Sequence, residues 1–333
     1  MTDITFKAMV VEEYEKGKYS GKIKERKISE LPDNDVLIKV SYSSLNYKDA
    51  LSAKGHKGIT RHYPHTPGID ASGTVIRSNS ADLEEGEEVI VTGYDLGMNT
   101  PGGFGQYISV PAEWVVKLPE GLTPKEAMMY GTAGFTAGIS IFELQEHDIS
   151  PYSGSVLVTG ASGGVGSLAC GMLSKAGYKV IASSGKNSET AFFESLGVSK
   201  LSGREEMKDE PRKPLLSKRW KGAIDTVGGE ALQTAVKSAD HRGVVCTMGN
   251  VLSDKFSLTV YPFILRGVKL VGIDSASRPM NERKYIWSKI ATDWKIDNYE
   301  KHIKEVSLED LNSEIELILQ GKQKGRVIVN PEA

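Results

Sequence analysis

Cysteine is nearly absent from this chain: only Cys170 and Cys246 occur among 333 residues, and both sit in apolar stretches. Two distant thiols cannot build a four-cysteine zinc lobe, and their surroundings fit small, buried, reduced side chains in a cytoplasmic protein rather than a disulfide framework. An excess of charge of either sign is missing too. The 41 basic residues nearly cancel the 43 acidic ones, leaving a net charge of −2, and no long basic block occurs, which argues against nucleic acid or an anionic membrane surface as a partner. The opening Met1-Thr2-Asp3-Ile4-Thr5-Phe6-Lys7 has an early acid and no apolar core, so no signal peptide is expected. The uncharged stretch 149–174 is long enough on paper for a bilayer, but six glycines and six serines interrupt it, and no membrane span is expected. Of the histidines only His62 and His65 lie close together, and Pro64 between them prevents a helical pair of metal ligands.

Glycine, by contrast, makes up about a tenth of the chain, as suits an α/β protein with many tight strand-to-helix turns. The most informative stretch is Val156-Leu157-Val158-Thr159-Gly160-Ala161-Ser162-Gly163-Gly164-Val165-Gly166. Val156 to Val158 read as a buried parallel strand, and Ser167 to Ala176 carry helical spacing up to a stop at Gly177. A pyrophosphate lying on the turn between them needs bare backbone and the free N–H groups of a helix N-terminus. Ser162, Gly163, Gly164 and Val165 are the expected cradle, with Gly166 allowing close helix–strand packing. The usual G-x-G-x-x-G register is broken by Ala161 at its first position.

About 20 residues on, where an NAD site places an acid on the ribose 2′-hydroxyl, the chain has Ser183-Ser184-Gly185-Lys186. No carboxylate is present there to repel a 2′-phosphate. Ser184, Gly185 and Lys186, with Arg204 at the expected end of the next strand, are positioned to bind one, and NADPH is the expected cofactor. The plainer reading of Lys186 and Arg204 is two surface cations.

The pattern changes along the chain. Residues 1–125 show short β-rich runs such as Val36 to Val40 and Glu88 to Thr92, which suggest a partly closed barrel. From 126 to 295 strands and helices alternate: a helical region from Glu126 to Leu144, the glycine-loop unit, then strands at Ala223 to Val227, Gly243 to Met248 and Val268 to Ile273. That is the signature of a doubly wound parallel Rossmann sheet. The stretch 208–221, with two prolines and many lysines and arginines, reads as a surface loop. Residues from about 296 to 333, with a helix at Leu308 to Leu319 and a strand at Arg326 to Val329, are expected to return and complete the first domain. Val268 to Ile273 is expected at the sheet edge, guarded only by Lys269, and a homodimer is expected to form there.

Further motifs carry a resemblance. The glycine loop, Gly131-Thr132-Ala133-Gly134-Phe135-Thr136-Ala137, Pro67-Gly68-Ile69-Asp70-Ala71-Ser72-Gly73 and Gly102-Gly103-Phe104-Gly105-Gln106-Tyr107 resemble the zinc-free, quinone-oxidoreductase-like branch of the medium-chain dehydrogenase/reductase superfamily. More narrowly, Ser43-Ser44-Leu45-Asn46-Tyr47-Lys48-Asp49-Ala50 and Pro262-Phe263-Ile264-Leu265-Arg266 resemble the acrylyl-CoA reductase group within it, and the order and spacing of these motifs extend the resemblance over nearly the whole chain. The resemblance implies a GroES-like catalytic domain beside the Rossmann domain. Zinc-dependent members use a cysteine where this chain has Asn46 and Gly-His-Glu where it has Gly68-Ile69-Asp70, so no metal site is expected.

Reduction of an already polarised C=C bond needs no metal electrophile. The implied reaction is transfer of a hydride from NADPH to the β-carbon of an enoyl thioester, followed by protonation of the α-carbon. Asn46, Tyr47 and Asp49 are the expected catalytic residues: Asn46 on the nicotinamide ribose, Tyr47 near the nicotinamide or as proton donor, Asp49 fixing its neighbours. Their plainer readings are a packed aromatic for Tyr47 and a turn or helix-capping residue for Asp49. The resemblance also places Asn250, Ser277 and Arg326 near the cofactor, while Lys322, Lys324 and Arg326 form an alternative cluster for CoA phosphates. Quinone or 2-enal reduction uses the same fold and cofactor, and a non-catalytic NADPH sensor is the third reading.

Overall fold

A computed structural model describes residues 4–185, 189–210 and 212–333. The chain divides into two units, one of residues 1–132, 276–288 and 299–333, the other of residues 133–275 and 289–298. The sequence boundary at 125/126 therefore falls seven residues before the structural one, because the helix beginning at Pro124 belongs to the first unit over its opening turns.

The first unit opens with a hairpin, β1 (Thr5–Glu15) and β2 (Lys18–Lys27), paired antiparallel. There follow β3 (Val36–Ser44), α1 (Tyr47–Ala53), β4 (Asp70–Ser78), β5 (Glu88–Thr92), β6 (Tyr107–Val110), β7 (Val115–Lys117) and the start of α2 (Pro124–Glu146). α2 is broken at Gly131, whose φ of 51° and ψ of −154° no helix accommodates.

In the second unit come β8 (Val156–Thr159), α3 (Gly164–Lys175), β9 (Val180–Ser184), α4 (Thr190–Ser195), β10 (Lys200–Gly203), β11 (Trp220–Asp225), α5 (Gly229–Lys237), β12 (Ala239–Thr247), α6 (Tyr261–Arg266) and β13 (Lys269–Gly272). The chain then passes through α7 (Met280–Ala291), β14 (Ile303–Val306), α8 (Leu311–Leu319) and β15 (Arg326–Val329). In the first unit the strand order is β14-β15-β3-β4-β5-β7, with β6 also paired to β3. Its core holds Val36, Ile38 and Val40 of β3 against Ala71, Val75, Val89, Val91 and Ile108, the inward positions of alternating strands.

The second sheet is wholly parallel, ordered β10-β9-β8-β11-β12-β13, so the strand order reverses between β8 and β11. That reversal is where open α/β sheets bind ligands, beyond the carboxyl ends of the strands. Strands buried on both faces need continuous apolar runs, and all four residues of β8 are buried. β13 is an edge strand. Cys170 and Cys246 are buried free thiols, which burial pushes far up from their ordinary pKa. Among the described residues, no helix is long and apolar enough to cross a membrane.

Candidate active site

In the second unit, the glycine-rich turn from Ser162 to Val165 lies between β8 and α3, at the reversal point. α3 begins at Gly164 with Gly163 as its N-cap residue, so the first helical N–H groups open onto the loop. Gly166 is needed for close approach: a Cβ there would lie 2.3 Å from the Gly160 carbonyl oxygen. Ser162 is half-buried and accepts a 3.2 Å hydrogen bond from the Ser184 hydroxyl, linking the loop to the end of β9. At the far side of that reversal the Thr159 hydroxyl donates to buried Asp225 at 2.7 Å, which ties β8 to β11.

At the ends of the next two strands, Gly203 of β10 pairs with Ser184 of β9, which brings Arg204 beside Gly185. A Cβ at position 185 would stand 2.3 Å from Arg204 Nε and 2.5 Å from its guanidinium carbon, so the side chain lies directly across that glycine. Arg204 and Gly185 are both exposed, and no acidic residue occupies the end of β9. Lys186, the other expected partner of a 2′-phosphate, lies outside the described residues. Asn250 is exposed in the loop after β12 and belongs to this unit, whereas Ser277, also exposed, belongs to the first.

In the first unit, Asn46, Asp49 and Arg326 come together. Asn46 caps α1 and Tyr47 is its first residue. Asp49 is fully buried. Its Oδ2 accepts from the Asn46 backbone N–H at 2.8 Å, and its Oδ1 accepts from Ile69 N–H at 2.8 Å and Gly68 N–H at 3.2 Å. This carboxyl thus fastens the first turn of α1 to the start of β4. Burial, reinforced by the nearby charge of Asp70, pushes it up to about 7 against the pull of those N–H groups.

Arg326, on β15, is 2 % exposed and spends its guanidinium inward. Nε donates to Met129 O at 3.3 Å, Nη1 to Leu45 O at 3.1 Å and Asn46 Oδ1 at 3.2 Å, and Nη2 to Ser44 Oγ at 2.7 Å. Ser44 in turn donates to Asp70 Oδ2 at 2.5 Å, and Arg326 Nη2 lies 3.9 Å from the same carboxylate. Asp70 also accepts from Asn46 Nδ2 at 2.7 Å and from the backbone N–H and hydroxyl of Thr132. Gly131 makes this possible, since a Cβ there would lie 2.5 Å from both Asp70 Oδ2 and Ser44 Oγ.

Arg326, expected near the cofactor or, with Lys322 and Lys324, on CoA phosphates, is a side chain buried in this network, while Lys322 and Lys324 are exposed. Asn46, expected on a ribose, directs both ends of its amide to Asp70 and Arg326. Tyr47 is 42 % exposed, and its hydroxyl has no hydrogen-bond partner among the described residues. Ser44, Asp70 and Thr132 had no assigned part in the sequence reading. Their signal was membership of the motifs that carried the resemblance.

Two family models match the chain: "Alcohol dehydrogenase GroES-like domain" over residues 32–120 and "Zinc-binding dehydrogenase" over residues 164–292. YhfP of Bacillus subtilis is 46 % identical over 301 residues, 90 % of this chain and 91 % of its own. Its structure with NAD bound matches with a TM-score of 0.95 over 98 % of this chain and 99 % of that one. The acrylyl-CoA reductase AcuI of Ruegeria pomeroyi is 40 % identical over 98 % of this chain and its own full length. The yhdH oxidoreductase of Salmonella enterica, solved in complex with NADP, is 38 % identical with a TM-score of 0.94, covering 97 % and 99 %.

The zinc named in the second model does not fit the residues present. Among the described residues no three of His, Cys, Asp and Glu are grouped to hold a metal. At positions 46 to 70 the two carboxyls are already engaged, Asp49 by backbone N–H groups and Asp70 by Ser44, Asn46, Thr132 and the Arg326 cation. A GroES-like unit carrying this buried network, joined in sequence to a doubly wound dinucleotide-binding sheet and to relatives matched end to end, identifies the chain as an oxidoreductase of the medium-chain dehydrogenase/reductase superfamily.

Proposed function

We propose that the chain is an NADPH-dependent reductase of activated C=C bonds that converts acrylyl-CoA to propionyl-CoA. The observation that carries the cofactor is Arg204, an exposed guanidinium lying across Gly185 just beyond the end of β9, which bears no acid. NADP in the yhdH oxidoreductase supports it, as the name of AcuI supports the substrate.

Bound NADPH supplies the hydride that adds to the β-carbon of the enoyl thioester. The turn from Ser162 to Val165 would hold its pyrophosphate on backbone N–H groups, and Ser184 and Arg204 would hold the 2′-phosphate. Asn46, clamped at both ends of its amide, gives the start of α1 a fixed shape. Tyr47 projects from that fixed turn as a positioning aromatic. No neighbouring base or cation is seen to assist the Tyr47 phenol as a donor, so water protonates the α-carbon.

Reduction of a quinone or a 2-enal is the second reading, favoured by YhfP, which carries the provisional name of a quinone oxidoreductase. NADPH consumption by the purified protein with acrylyl-CoA, crotonyl-CoA, acrolein and a benzoquinone decides between them. Acrylyl-CoA turning over fastest is the expected result, and a benzoquinone preferred over both thioesters would reverse the assignment.

The same reading includes a cytoplasmic setting, consistent with two buried, unpaired cysteines, and a homodimer. Val251, Leu252, Phe256, Val260, Ile264 and Leu265 are all exposed in the segment that joins β12 to the edge strand β13, and exposed apolar side chains in such number mark a protein interface.

A further inference from the structure

The first unit carries a cationic groove that neither the cofactor cradle nor the buried network uses. It encloses about 590 Å³ between the β1–β2 hairpin and the turn following α1. That volume falls within the range of small-ligand sites. Lys22, Arg61 and His62 line it, and none has an ion-pair partner among the described residues. The two acids on the rim are already engaged: Glu12 pairs with Lys24 at 2.6 Å, and Glu13 accepts from Gly17 N–H at 2.7 Å. The groove therefore presents uncompensated positive charge on a chain that is slightly acidic overall.

Its floor is built rather than incidental. Tyr63 donates its hydroxyl to Ser52 O of α1 at 2.6 Å, and its ring lies 4.5 Å from that of Tyr19. Lys57 Nζ sits over both rings, 4.7 Å from Tyr63 and 5.2 Å from Tyr19, a cation held by aromatic faces. Arg61 N–H is anchored on Asn99 Oδ1 at 3.2 Å. Tyr14, 65 % exposed, adds a free aromatic face at the rim.

Unpaired cations with an exposed aromatic recognise a phosphorylated purine nucleoside, phosphates on the cations and base on the ring. The groove also lies at the C-terminal end of the short helix whose first residue is Tyr47. Seven residues at about 1.5 Å each make that helix roughly 10 Å long, a span that a pantetheine arm covers. Resting on the thioester reading above, we infer that this groove binds the 3′-phosphorylated ADP end of the coenzyme A substrate, with Arg61 and Lys22 on its phosphates and Tyr14 against the adenine.

Steady-state rates with acrylyl-CoA and with acrylyl-pantetheine, the same enoyl thioester without the nucleotide, test this. The pantetheine KM in the native protein exceeds the CoA KM by about tenfold or more, the worth of one charged contact. In Lys22→Ala/Arg61→Ala the ratio falls to within about twofold of one. A native ratio near one, or a ratio unchanged in the variant, overturns the inference. Calorimetric titration of adenosine 3′,5′-bisphosphate into NADPH-saturated protein needs no turnover. Binding that is lost in the variant sustains the groove even where neither thioester is reduced, an outcome that sinks only the reductase reading. Absence of binding at millimolar ligand overturns the groove even where acrylyl-CoA is reduced.

Discussion

Arg326 donates to Asn46 across 3.2 Å, and through this bond a cation on the last strand of the chain fixes the amide that opens α1, 280 residues earlier. The pair is closed by Asp70, which accepts from Asn46 and lies 3.9 Å from the same guanidinium. A buried charge so fully engaged is costly to orphan.

Replacing Arg326 by methionine should therefore lower the free energy of unfolding by about 3–5 kcal/mol, the usual loss when one partner of a buried ion pair is removed. Urea titration checks it. A loss under about 1 kcal/mol would mean that Asp70 is satisfied without the cation.

The Asp49 carboxyl predicts a pH slope. Pushed up to about 7 in the folded state, it compares with about 3.9 in an unfolded chain. Between those values the folded chain holds a proton that the unfolded chain has released, so stability falls as pH rises through the window and levels off above it, by about 1.4 kcal/mol per pH unit at most. Asp49→Asn is less stable at acidic pH, because its amide nitrogen meets an N–H, and it lacks this slope. Unfolding curves at several pH values from 4.5 to 8 should converge for the two proteins as pH rises; parallel curves would remove Asp49 from the effect.

Cofactor choice rests on Arg204. NADPH should bind at least about tenfold tighter than NADH, and Arg204→Ala should weaken NADPH by about 10- to 150-fold while scarcely changing NADH. Fluorescence titration measures all four constants. YhfP was crystallised with NAD, so equal native affinities are a real alternative outcome and would end the assignment.

Tyr47→Phe keeps the ring and removes the hydroxyl. If the residue positions the cofactor, this variant retains most of its turnover while Tyr47→Ala raises the NADPH dissociation constant. A fall of about 10²–10⁴ in turnover for the phenylalanine variant would make the phenol the proton donor instead.

Light scattering at micromolar concentration should give a dimer for the native chain, and Ile264→Asp with Leu265→Asp should give a monomer. Both positions are more than half exposed, so the substitutions leave the core alone. A native monomer would refute the proposed interface.

Much of the second unit was legible because its signals are local. The apolar run of β8, the glycines of its turn and the stop after α3 are encoded within about 20 consecutive residues, and β13 stands at the edge as its position in the alternation implied. The break in α2 was not legible. A lone glycine within a helical pattern reads as a tolerated cost, and only the tertiary approach of Asp70 and Ser44 explains why the backbone turns at Gly131. The inward direction of Arg326 was hidden for a related reason. Every residue of β15 is buried, so no alternation of polar and apolar residues shows which way the side chain points.

The crowding at Gly131 also bears on how this sequence can change over generations. Any side chain at 131 collides with Ser44, Asp70 and Arg326 at 2.5–2.9 Å, while loss of any of those three frees space but strands the others' polar atoms. The four positions, scattered from residue 44 to residue 326, can drift only in concert, so a chimaera that exchanges the C-terminal strand with a distant relative must import its partners as well or forfeit the start of α1.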